Sequence, residues 1–177
     1  MSLHPRVILL SALLPALMSL GTAQALPSDA SQPVTLEADK ATFNEKTGVT
    51  SYSGNVIITQ GTIRIEADQL VVNLDSKRAI RDATATGRPA RFQQQLSSNK
   101  GVARGEGNQL FYDARAALLT LSGNAYLEQD GATFRGDTLR YSMTKGDIEA
   151  TGSSSRRVKL VIPPASELNP KSARSPR

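Results

Sequence analysis

Tyr52-Ser53-Gly54-Asn55-Val56-Ile57-Ile58-Thr59-Gln60-Gly61-Thr62-Ile63-Arg64-Ile65-Glu66-Ala67-Asp68 is the stretch whose pattern decides the fold. Val56-Ile57-Ile58-Thr59 is a β-branched run, apolar and polar residues alternate through Ile63–Glu66, and Gly61-Thr62 lie between them. Period-two alternation around a turn residue is the mark of a half-buried β-hairpin. A shift of 69 residues lays Ser53-Gly54-Asn55 on Ser122-Gly123-Asn124, Gln60 on Gln129, Asp68 on Asp137 and Leu70 on Leu139, without a gap. Self-similarity at a fixed offset points to stacked β-units that share one interior.

Shorter echoes surround this stretch. Ala38-Asp39-x-Ala41, Ala67-Asp68-x-Leu70, Gly107-Asn108-x-Leu110 and Gly136-Asp137-x-Leu139 share a small residue, then Asp or Asn, then an apolar residue. A glycine follows each: Gly54, Gly87, Gly123 and Gly152. The short polar side chains suggest turns that bond nearby backbone N–H groups, each opening an inward-pointing strand. The glycines suggest further turns or bulges. Other short alternating runs include Val34–Leu36, Leu70–Leu74, Ala90–Phe92, Leu110–Tyr112, Tyr126–Glu128, Leu139–Met143 and Val158–Ile162. Helical periodicity is nearly missing, so the expected class is all-β: a sandwich, roll or solenoid. Gly101-Val102-Ala103-Arg104-Gly105-Glu106-Gly107 has no P-loop Lys and no following helix, and reads as a flexible connection after Gln93-Gln94-Gln95.

Alternate positions give one apolar face: Leu36, Phe43, Val56, Ile58, Ile63, Ile65, Leu70, Val72, Leu74, Phe92, Leu110, Tyr112, Leu121, Leu127, Phe134, Leu139 and Tyr141. The opposite face carries Thr35, Glu37, Thr59, Arg64, Glu66, Asn73, Arg91, Glu128, Arg135 and Arg140. A packed core accounts for such a lining. A roll with that lining could also part and hold an acyl chain.

The ends of the chain have a different composition. Val7–Leu20 is apolar apart from Ser11, Pro15 and Ser19, follows Arg6, and leads to Ala23-Gln24-Ala25. This reads as a secretory signal over residues 1–25, cleaved after Ala25. It is too short and too interrupted for a membrane span. The expected mature chain, Leu26–Arg177, lies outside the cytoplasm and lacks His, since the only one is His4. The whole sequence has no Cys. Without either residue there is no Ser–His or Cys–His nucleophile and no usual zinc ligand set. Asp39, Asp68 and Asp137 recur at equivalent places, whereas an acid–base pair needs two different environments, so no catalytic residue, metal or cofactor is expected.

The formal net charge of +5 is unevenly placed. Residues 26–152 are almost neutral, while 153–177 hold Arg156, Arg157, Lys159, Lys171, Arg174 and Arg177 against Glu167. A neutral body with 5% aromatic residues argues against a stacking-based nucleic-acid partner. The expected organisation is a signal at 1–25, a β domain at 26–163 and a basic, disordered tail at 164–177.

The 52–68 stretch closely resembles the signature segment of the OstA-like family of periplasmic lipopolysaccharide-transport proteins. Leu121–Gln129 resembles the family's second such segment, Gln32–Asp39 its opening strand, and Gly87-Arg88-Pro89-Ala90-Arg91-Phe92 its G-x-P-A-x-F segment. The likeness spans about residues 32–163. It implies an elongated, twisted β-jellyroll of about sixteen antiparallel strands. It implies a periplasmic, non-enzymatic role in which lipopolysaccharide acyl chains lie in the apolar interior, touching the residues above. Val34 and Leu36 are the contacts that transfer best. It also implies an inner-membrane-anchored OstA-like partner at the N-terminal edge, Val34-Thr35-Leu36. An outer-membrane translocon would meet the C-terminal edge, Val158-Lys159-Leu160-Val161-Ile162, and copies would stack head to tail. Two rival classes are a β-helix polysaccharide lyase, which needs an asymmetric cluster of acids and bases, and a ligand-free structural β-protein.

Overall fold

The computed structural model describes residues 29–96 and 101–164; the predicted signal and nearly all of the predicted tail lie outside them. A 3₁₀ turn at Asp29–Ser31 precedes ten strands: β1 (Val34–Glu37), β2 (Lys40–Asn44), β3 (Val49–Gln60), β4 (Ile63–Leu74), β5 (Ile80–Gln95), β6 (Val102–Asp113), β7 (Leu118–Gln129), β8 (Ala132–Ser142), β9 (Ile148–Thr151) and β10 (Lys159–Val161). All belong to one antiparallel sheet in which β3 to β8 pair in chain order. β1 and β2 both pair with β3 at one end, and β9 and β10 both pair with β8 at the other.

The six long strands bend in the middle. The register shifts between Ser53 and Val56, Glu66 and Gln69, Thr86 and Ala90, Glu106 and Gln109, and Ser122 and Ala125. Bulges of this kind bend a strand and raise its twist. They fall in line across the sheet and fold it into two arms. Arm A holds β1, the halves near Ile58, Ile65, Phe92, Gly105, Leu127 and Phe134, and β10. Arm B holds β2, the halves near Tyr52, Leu70, Ala85, Leu110, Leu121 and Leu139, and β9. The sheet has ten strands, not about sixteen, because each of the six long ones runs unbroken through both arms.

The repeated sequence pattern marks this crease. Asp68, Asn108 and Asp137 lie inside β4, β6 and β8, and only Asp39 falls between two strands. The expectation of separate turns is therefore corrected: the pattern bends continuous strands. Gly54 and Asn55 (φ +79° and +46°) and Gly123 and Asn124 (φ +71° and +59°) repeat the same left-handed pair at the 69-residue offset. A residue from a connecting segment clamps each pair: Asp39 from between β1 and β2, and Arg156 from between β9 and β10. Asn55 Nδ2 donates to Asp39 Oδ2 at 2.9 Å, and Arg156 Nη1 donates to Asn124 Oδ1 at 2.8 Å. A Cβ on Gly123 would sit 2.8 Å from Asn108 Nδ2. Gly123→Ala adds left-handed strain to that clash and should cost about 1–3 kcal/mol in urea unfolding.

The supposed flexible connection at Gly101–Gly107 is also corrected. Val102 onward is β6, and Gln93–Gln95 end β5. Gly105 is not a loop signal. It stands opposite Phe92, and a Cβ there would lie 2.6 Å from Leu121 Cδ2, so the core takes the space a side chain would fill.

Candidate functional site: the apolar interior

The two arms face each other across one apolar layer. Val56, Leu70, Phe92, Leu110, Leu119, Leu121, Leu127, Leu139 and Tyr141 are 0–3% exposed. Phe92 of arm A and Tyr141 of arm B meet with ring centroids 5.6 Å apart, which ties the layers together. Residues paired across strands share a face, so register places the rest of the lining. Leu36 pairs with Ile58, Ile58 with Ile65, and Ile65 with Phe92. On arm B, Tyr52 pairs with Leu70 and Leu70 with Ala85. Ala85, Ala90, Ala103, Ala125 and Leu119 also belong to the buried set. The sequence reading omitted them because alanine carries little hydrophobic signal, and Leu119 adjoins an equally apolar Leu118.

Burial is graded along the roll. Of the predicted lining, Val56, Leu70, Val72, Phe92, Leu110, Leu121, Leu127, Leu139 and Tyr141 are buried. Leu36, Ile58, Ile63, Ile65, Leu74, Tyr112 and Phe134 are partly buried against them. Val34 and Phe43 depart from the expectation of an enclosed lining, at 47% and 52% exposed. Their registers, opposite Gln60 and Thr50, put them on the interior side at the N-terminal end, where no further strand covers them. At the C-terminal end Leu160, 49% exposed, pairs with half-buried Phe134, and Ile148 pairs with Tyr141. The apolar layer therefore reaches both ends of the sheet.

The edge strands differ from the expected ones in extent. Val34, Thr35 and Leu36 lie in β1. Lys159, Leu160 and Val161 form β10, but Val158 and Ile162 fall outside it, the latter immediately before Pro163. Each end presents a second edge strand that was not expected, β2 or β9. β2 starts at Lys40, beyond the Asp39 crease, and β9 is four residues long, so neither stands out as an independent run in the sequence.

Arm A's outer face is polar. Glu66, Arg91, Glu106, Tyr126 and Arg135 form one cross-strand row. Arg91 and Glu106 approach to 3.9 Å, and Arg135 lies 4.4 Å from the Tyr126 ring centroid. A cavity of about 240 Å³ opens on this face, lined by Arg64, Glu66, Arg91, Arg104, Glu106, Tyr126 and Glu128 among others. Among the described residues no group of three or more His, Cys, Asp or Glu is placed to hold a metal. Asp39 serves as the clamp on Asn55.

Among the described residues, Gln94 is the buried polar side chain of the core. Its Oε1 accepts from the Tyr141 hydroxyl at 3.3 Å, and its Nε2 donates to Asp29 Oδ2 at 3.0 Å and to the Met143 carbonyl at 3.4 Å. Burial, then the carboxylates of Asp130 and Asp29, push the Tyr141 hydroxyl up to about 12. Ionisation therefore favours the unfolded chain. The contribution is intact below about pH 10 and is lost as pH rises towards 12. Tyr141→Phe should flatten the decline of the urea midpoint between those pH values. Burial likewise raises the hydroxyl of Tyr112, with a further push from Asp113.

Residues 35–147 match the family described as LptA/(LptD N-terminal domain) LPS transport protein. The chain belongs to this family. It is 33% identical to the lipopolysaccharide export system protein LptA of Escherichia coli K12 over 142 residues, covering 80% of this chain and 76% of that protein. The LptA of Haemophilus influenzae is 33% identical over 146 residues, covering 81% and 84%. The crystal structure of Pseudomonas aeruginosa LptH, described as the LptA-homologous periplasmic component of the lipopolysaccharide transport device, superposes with a TM-score of 0.71. That match has 27% identity and covers 78% of this chain and all of that one. The bent-strand β-jellyroll is thus the architecture of an LptA-family chain, and its relatives carry the names of transport proteins.

Proposed function

We propose that this protein binds lipopolysaccharide by its acyl chains between the two arms and conducts it across the periplasm, without catalysis. One observation carries the reading: in a chain of the LptA family, a continuous apolar layer runs from Val34, Leu36 and Phe43 at one end to Phe134, Ile148 and Leu160 at the other. Each buried CH₂ of an acyl chain is worth about 0.8 kcal/mol, enough to hold a lipid in a wet compartment. The central side chains pack on one another, so an acyl chain enters by parting the arms opposite the crease. The 1–25 signal supplies the export route. β1 and β2 would pair with an inner-membrane-anchored partner of the same fold, and β9 and β10 with an outer-membrane translocon, by strand addition. The same edges let copies stack head to tail, which also covers strand edges that would otherwise aggregate.

The test is a photo-crosslinking amino acid placed in living cells at Leu36, Ile58 and Phe134, with Arg91 on the outer face as control. Lipopolysaccharide adducts should form at the three interior positions and not at Arg91. Adducts at none of the interior positions, or equally at Arg91, would sink the conduit reading.

A further inference from the structure

Asp29 occupies an unusual position for a carboxylate. It belongs to the short turn ahead of β1, none of whose residues is buried. Its Oδ1 accepts the Thr62 backbone N–H at 2.7 Å, and its Oδ2 accepts the Thr62 hydroxyl at 2.8 Å and Gln94 Nε2 at 3.0 Å. These three donors come from the β3–β4 turn and the end of β5. They surround a single carboxylate at good hydrogen-bond distances, 2.7 to 3.0 Å. Gln94 in turn reaches Tyr141 of arm B and Met143 just past the end of β8, so the cradle lies where the tips of the arms meet, on the side away from the crease. Gln60 Nε2, at the same tip, donates to the Gln32 carbonyl at 3.1 Å and holds down the segment that carries Asp29.

We infer that the Thr62–Gln94 cradle is a binding site for the anionic phosphate head of an amphiphile whose chains lie between the arms, and that Asp29 is a built-in surrogate masking it. The inference rests on the proposed function for where the chains lie. The donors carry no formal charge, and Asp130 acts on nearby Tyr141, so the cradle suits a singly charged oxyanion better than a dianion. The segment bearing Asp29 buries no side chain, so little apolar contact opposes its release. A head group that displaces Asp29 inherits the three donors just as its chains separate the arm tips.

The experiment compares the unmodified mature protein with Asp29→Ala, Asp29→Asn and the double variant Asp29→Ala/Thr62→Val. Each is titrated with dodecyl phosphate, dodecyl maltoside and inorganic phosphate, with the Thr62 amide followed by NMR. A surrogate seated about nine-tenths of the time lowers apparent affinity about tenfold. Asp29→Ala should therefore bind dodecyl phosphate about tenfold tighter with dodecyl maltoside unchanged, and Thr62→Val should take back most of the gain. Asp29→Asn, which keeps the shape and loses the charge, should show a gain of the same sign if Asp29→Ala proves unstable. No gain, or an equal gain for both amphiphiles, overturns the cradle. A Thr62 shift with inorganic phosphate alone overturns the head-group assignment in favour of a free anion. Failure of both amphiphiles to bind the unmodified protein would instead strike at the conduit reading itself.

Discussion

Leu139→Ala should lower the unfolding free energy by about 3–4 kcal/mol, while Phe43→Ala should cost less than about 1 kcal/mol. Both residues belong to the same apolar face in sequence. Leu139 is fully buried, paired with Leu121 across β7 and with Ala150 across β9. Truncating it leaves a hole that neighbours from both arms cannot fill, because the crease and the long ladders fix their spacing. Phe43 is half exposed at the N-terminal end, so its loss opens no cavity. Urea titrations would show the Leu139→Ala midpoint falling sharply with the slope unchanged. Typical total stability is about 5–15 kcal/mol, so this single truncation removes a large fraction of it. Phe43→Ala should instead weaken capture of amphiphiles or of a partner at that end. Equal destabilisation by the two would show that the N-terminal end is as closed as the centre.

If copies stack end to end as proposed, a chain ending before Val158 should fold normally yet lose that assembly, by at least about tenfold in association constant. β10 is three residues long, wholly exposed, and paired on one side only. Its removal uncovers half-buried Phe134 and takes away one short ladder, a small loss against the core. For a partner strand the loss is larger. The deletion removes both the backbone edge of arm A and Leu160, the apolar side chain that continues the interior past Phe134. Pairing by strand addition draws on both. Sedimentation velocity across a concentration series reads the assembly, and far-ultraviolet circular dichroism reads the fold. Rods forming as readily from the shortened chain would rule out β10 as the docking edge. A collapsed spectrum would mean that β10 contributes to the fold itself.

The sequence by itself determined the all-β class, the 69-residue repeat and the identity of the apolar face, because each is a local pattern. Period-two alternation fixes which side chains share a face, and Ser-Gly-Asn recurs where the backbone must turn left-handed. The resemblance carried by residues 52–68 and 121–129 anticipated the family. What alternation could not show was how far each strand runs. A bulge and a turn use the same residues, Gly, Asn and Asp, and only pairing with the neighbouring strand separates them. Hence Asp68, Asn108 and Asp137 looked like strand ends and lie mid-strand, and Gly105 looked like a loop and lies in the core. Exposure at the two ends was equally hidden. Val34 and Phe43 obey the same alternation as Leu70, but a side chain is buried only when another strand lies over it. Asp29 and Gln94 are 65 residues apart and carry no shared motif, so their meeting at the arm tips belongs to the tertiary structure alone.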